Sequence, residues 1–127
     1  MLREGRAHAW NSWRKAHPEI VPDLFKADLS KADLASDDAT GANLYRADLT
    51  NANLLGTNLH GVNLRNANLA GATLGFTLFG NTNLTDAEGL DSCQHLGPSV
   101  VDYQTLAQIV ASFARFSTRL WSSRDVS

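Results

Sequence analysis

Through the middle of the chain the apolar residues fall at neither helical nor strand spacing. They recur every fifth residue. From Pro22 the sequence divides into PDLFK, ADLSK, ADLAS, DDATG, ANLYR, ADLTN, ANLLG, TNLHG, VNLRN, ANLAG, ATLGF, TLFGN and TNLTD, thirteen pentads over residues 22–86 with no insertion. Leu holds the third place in eleven of them: Leu24, Leu29, Leu34, Leu44, Leu49, Leu54, Leu59, Leu64, Leu69, Leu74 and Leu84. Ala39 and Phe79 hold the other two. The first place is mostly Ala, and the second is Asp or Asn in eleven of the thirteen.

A helix repeats at 3.6 residues and would carry these leucines around its surface. A strand repeats at 2 and would send successive leucines to opposite faces. Five residues instead make one flat side and one corner of a square coil. Four pentads then close a turn of 20 residues, and stacked turns lie about 4.8 Å apart. The third and first places point inward and the others outward. The expected core is the eleven leucines with Phe79. The column Asp37/Thr57/Thr77 is polar, so that side is expected to be the least regular, with Asp37 turned outward. Outward columns place Phe25 under Tyr45 and Asp28 under Asp48 at one strand spacing. Glycines at Gly41, Gly56, Gly61 and Gly71 suit the corner.

The pentads closely resemble the pentapeptide-repeat family. That resemblance implies an all-β solenoid, a right-handed quadrilateral β-helix, here of about three coils. The flanks AWNSWRKAHPEIVPDL (residues 9–24) and GLDSCQHLGPSVVDYQTL (residues 89–106) are similar to the borders of a bacterial, cyanobacterial-type subgroup. In that subgroup the repeat module often precedes a signalling domain. This chain therefore resembles the stand-alone module or a fragment of a larger signalling protein.

So short a rod has two open ends whose leucines and strand edges need covering. Residues 2–17 read as an amphipathic helix ending at Pro18, with Trp10 and Trp13 as the plug over the first coil. Residues 92–101 read as irregular, with a Gly97-Pro98 turn. Asp102 is placed to N-cap a helix from about Tyr103 to Ser122. Its apolar face is Leu106, Ile109, Val110, Phe113, Phe116, Leu120 and Trp121. It either folds over the coil end or pairs with a second copy as a homodimer. The expected organisation is an N-terminal helical cap at 1–21, the β-helix at 22–91, and a turn with an amphipathic helix at 92–127.

Composition adds exclusions. The chain has 127 residues, a formal net charge of −2 and one cysteine, Cys93. That charge argues against a basic nucleic-acid binder, and one thiol cannot form an internal disulfide. The first residues carry no export signal and no stretch is long enough to span a membrane, so the expectation is a cytoplasmic protein. Cys93 and His95 lack the further ligands a zinc site needs, and no nucleophile–base set or phosphate loop is present. No catalytic residue, metal or cofactor is expected. The leading reading is a non-enzymatic structural or protein-interaction module with an unidentified protein partner. Asp23, Asp28, Asp33, Asp38 and Asp48 form a candidate acidic docking face. One branch of the family protects DNA gyrase by imitating duplex DNA. The alternative reading, a DNA mimic that binds gyrase or topoisomerase, follows from that resemblance.

Overall fold

Each pentad turns its corner at its fifth residue. In all thirteen that residue has positive φ: Lys26, Lys31, Ser36, Arg46, Asn51, Asn66, Phe76, Asn81 and Asp86, with Gly41, Gly56, Gly61 and Gly71. At most corners the carbonyl of the third residue accepts the amide of the next pentad's first, as Leu24 does from Ala27 at 3.0 Å and Leu44 from Ala47 at 3.0 Å. A positive φ two residues past that carbonyl is the type II turn geometry. Two corners depart from this. The Thr77 amide donates to Ser99 Oγ and the Thr82 amide to Thr105 Oγ1.

These observations come from a computed structural model that describes residues 4–111. The second-place residues pair in parallel with those 20 residues on: Asp23 with Asn43, Asp28 with Asp48, Asp33 with Asn53 and Asp38 with Asn58. The same register continues to Asn68 with Glu88. Past that point the ladder runs on with a changed offset. β1 (Thr73–Leu74) pairs with β3 (Gln94–His95), and β2 (Leu78–Phe79) pairs with β4 (Val100–Val101). Residues 92–101, read from sequence as irregular, therefore continue the coil beyond Asp91. Two single-residue insertions disguise the frame. The first is at Gly89, whose φ is +82° and which displaces Leu90 by one place. The second lies between His95 and Val100, around Gly97-Pro98.

The interior is a stack of leucines with alanines beside them. Leu44, Leu49, Leu54, Leu59, Leu64, Leu69, Leu74, Phe79 and Leu84 are buried. Leu24, Leu29 and Leu34, in the first coil, are only partly buried, because no coil lies beneath them. First-place threonines bind the coil below: Thr57 Oγ1 donates to the Leu34 carbonyl at 2.8 Å, and Thr77 Oγ1 to that of Leu54 at 2.7 Å. Asp37 occupies the same column and also points inward, with 3% of its surface exposed. This corrects the expectation that it turns outward. The corner at Ser36 holds the first place inward whatever residue stands there.

Both coil ends carry helix. α1 (Glu4–Ala16) lies across pentad 37–41 and grips it through side chains. Trp10 Nε1 donates to the Asp38 carbonyl at 2.8 Å, Asn11 Oδ1 accepts the Asp38 amide at 2.7 Å, and Arg14 donates to the carbonyls of Asp38 and Thr40. At the other end residues 103–111 are helical, with Asp102 Oδ1 accepting the Thr105 amide at 2.8 Å as the N-cap.

Candidate functional site

The acidic residues take their positions from the second place of the pentad. Each uses Oδ1 to accept the amide two residues on, Asp23 from Phe25, Asp28 from Ser30, Asp33 from Ala35, Asp38 from Thr40 and Asp48 from Thr50. Asn43, Asn53, Asn58, Asn63, Asn68 and Asn83 do the same. Such Asx turns explain why either Asp or Asn suits this place. The ladder puts Asp23, Asp28, Asp33 and Asp38 on four successive sides of the first coil, and only Asp28 and Asp48 share a side. The five therefore ring the coil rather than form one face. The Ser30 hydroxyl and amide hold the exposed Asp28 carboxyl below the usual carboxylate range.

One side carries a different constellation. Phe25 and Tyr45 stack with ring centroids 5.5 Å apart and planes 16° from parallel. Lys26 Nζ lies 5.2 Å from the Phe25 ring centroid, and the Arg46 guanidinium 5.7 Å from that of Tyr45. Both are within cation–π reach. Arg65 continues the Phe25/Tyr45 column one coil on. Phe25 is 46% exposed, so the column presents aromatic edges between cations.

The C-terminal end is chemically quiet. A hollow of about 280 Å3 is lined by residues including Leu74, Phe79, Leu90, His95, Val101 and Ile109. His95 pairs with Leu74 and is exposed at this end, so the leucine column stops there. Burial pushes the Cys93 thiol up to about 11, and its Sγ–H donates to the Leu69 carbonyl. It is a protonated core residue near neutral pH, not a nucleophile or thiolate ligand. Among the described residues no group of three or more His, Cys, Asp or Glu is placed to hold a metal. No described helix is long and apolar enough to cross a membrane.

Comparison with known proteins is consistent with this geometry. The family described as pentapeptide repeats matches residues 27–66 and 63–88, in eight copies. The chain belongs to the pentapeptide-repeat family. Its coil is the right-handed quadrilateral β-helix of that family. A pentapeptide repeat protein (Rfr23) from the cyanobacterium Cyanothece 51142 is 33% identical, over 63% of this chain and 57% of that one, with a TM-score of 0.31. One from Nostoc PCC 7120 is 24% identical, over 72% of this chain and 93% of that one, with a TM-score of 0.38. HetL, a Nostoc protein involved in heterocyst differentiation regulation, is 28% identical over 61% of this chain and 44% of its own, with a TM-score of 0.31. This chain thus spans little more than half of the Cyanothece protein. No curated protein matches it.

Within this pentapeptide-repeat chain, several expected site residues are not brought together. Trp10 meets the coil, whereas Trp13 is 39% exposed and stacks between Trp10 and His17. Of the self-association face, Ile109 packs on the core, while Leu106 and Val110 are exposed. Phe113, Phe116, Leu120 and Trp121 lie outside the described residues. Sequence reasoning missed Asn11, Arg14, Thr105 and Gln108, all polar residues that satisfy coil backbone. Asp102 was singled out as a cap, but it also accepts the Asn81 amide. The Thr105 hydroxyl and amide, then the Asn81 amide, hold its carboxyl low.

Proposed function

We propose that this pentapeptide-repeat chain is a non-enzymatic interaction module, a coil with helix at both ends, working in the cytoplasm. The observation that carries the reading is the stacked Phe25–Tyr45 column with Lys26 and Arg46 over its rings, set on a coil packed with leucine. Exposed aromatic and Arg residues anchor protein interfaces. Cations beside them favour an acidic protein segment as partner. Among the described residues neither Lys26 nor Arg46 forms an ion pair, so both charges are free to meet one. The test is affinity capture from the native cell with the full chain and with Tyr45→Ala/Arg46→Ala. Partners retained equally by both proteins would rule this surface out.

Self-association is a second part of the proposal, supported by the exposure of Tyr103, Leu106 and Val110 on one helical stretch. Light scattering on the full chain and on Leu106→Asp tests it. A monomer at high concentration ends it. The gyrase-mimic reading has weaker support, because the carboxylates ring the first coil and are engaged in Asx turns. A supercoiling assay with added drug tests it, and an absence of protection removes it.

A further inference from the structure

Between α1 and the first coil lies a hollow of about 180 Å3 lined by apolar side chains, among them Trp10, Leu24, Leu29 and Leu34. Its one charged lining residue is Asp37. Asp37 as a residue is 3% exposed, and among the described residues its Oδ1 is the buried polar side-chain atom with no hydrogen-bond partner. Leucine-lined cavities of roughly 150 Å3 stay dry and take a benzene-sized guest. The volume therefore suits an apolar body of about six to eight heavy atoms.

The polarity of the guest follows from what Asp37 lacks. A buried carboxylate is unfavourable unless a cation or donor meets it. The obvious cation, Arg14 of α1, is occupied by the carbonyls of Ile20, Asp38 and Thr40. The neighbouring charge on the first coil is Asp33, which has the same sign and pushes the Asp37 pKa up further. Nothing described in the chain supplies the missing positive donor. Leu24, Leu29 and Leu34, which line the hollow, are themselves partly exposed.

We infer that the hollow beneath α1 is a binding site for a small primary amine with an apolar body, its ammonium donating to Asp37 Oδ1 and its body lying among Trp10 and the first-coil leucines. Neither the repeat nor the aromatic column requires this site.

The test is a titration of the full chain, followed by amide and indole NMR shifts at pH 7.5, with benzylamine, benzyl alcohol and toluene as isosteric probes. The site predicts saturable shifts at the Trp10 indole and the amides of 34–40. A charge-assisted hydrogen bond makes benzylamine bind at least about tenfold more tightly than toluene. Asp37→Ala and Asp37→Asn should each bring that ratio to within about twofold while the spectrum stays folded. Absence of any saturable shift overturns the inference. So does equal binding of the amine and either neutral probe by the parent chain, or an amine preference that survives both substitutions.

Discussion

Gln108 serves Leu84 as a substitute for the next coil. Its Oε1 accepts the Leu84 amide at 2.6 Å, while its Nε2 donates to the Thr82 carbonyl at 2.9 Å. A side-chain amide thus reproduces the donor–acceptor pair that a further pentad would offer, at an edge that would otherwise be open. Thr105, fully buried, instead accepts the Thr82 amide at a corner that lacks the usual turn bond.

Gln108→Ala strands both groups at a partly buried position. Its expected cost is about 1–3 kcal/mol, the penalty for unmade buried hydrogen bonds. Gln108→Glu keeps the acceptor for Leu84 but at neutral pH sets a carboxylate against the Thr82 carbonyl, so it should recover little of the loss. Urea unfolding of the three proteins checks this. Equal midpoints would show that water satisfies the edge equally well.

The leucine stack is not equivalent along its length. Leu64 is fully buried with coils on both sides, whereas Leu24 is partly exposed at the open end. Leu64→Ala should cost about 2–5 kcal/mol, the range for a core truncation that leaves a cavity. Leu24→Ala should cost well under half as much, since less area is lost from the interior. Paired chemical denaturation reads the difference directly, and similar costs would mean that the first coil is sealed as tightly as the third.

Gly89 permits the first insertion in the frame. Its φ is +82°, and a Cβ there would collide with the backbone nitrogen of Ala70. The clash is with main chain, so no rotamer relieves it. Gly89→Ala should therefore destabilise by more than the roughly 1–2 kcal/mol of a left-handed non-glycine residue alone. Thermal unfolding tests this. A shift no larger than that of Gly41→Ala, where a Cβ would meet nothing within 4 Å, would refute the steric argument.

What could be read in advance tracks the repeat. Leu64 and its column were legible because only a square coil keeps every fifth residue inside. The stacking of Phe25 on Tyr45 followed from the same register. The continuation through β3 and β4 was hidden, since one extra residue at Gly89 and another before Val100 erase the period without ending the pairing. Thr105 and Gln108 carried no periodic signal, because Thr105 completes a corner and Gln108 the ladder of a distant segment. Asp37 was misread by a sound rule, that carboxylates face water. The corner geometry prevailed over the side chain's hydration, and the signal lay in its column with Thr57 and Thr77. The acidic face dissolved into a ring because successive pentads occupy successive sides.

Asp37 makes the fold sensitive to pH in the opposite sense to most carboxylates. Burial, then the charge of Asp33, raises its pKa from 3.8 to about 6. The folded state thus holds this proton more tightly than the unfolded chain. The contribution is fully present below about 3.8 and is lost as pH rises through 6. The charged groups nearby are Asp33 on the same coil and Arg14 on α1, and the latter is engaged with carbonyls. Asp28 and Asp102, whose pKa values are lowered, act in the opposite direction, but they are common to parent and variant and cancel in the difference. Asp37→Ala should therefore unfold at a higher temperature than the parent at pH 7.5, by an advantage that shrinks steadily towards pH 4. Melting curves at pH 4, 5, 6 and 7.5 decide the matter. Parallel profiles for the two proteins would mean that the Asp37 carboxyl ionises in the fold as it does in water.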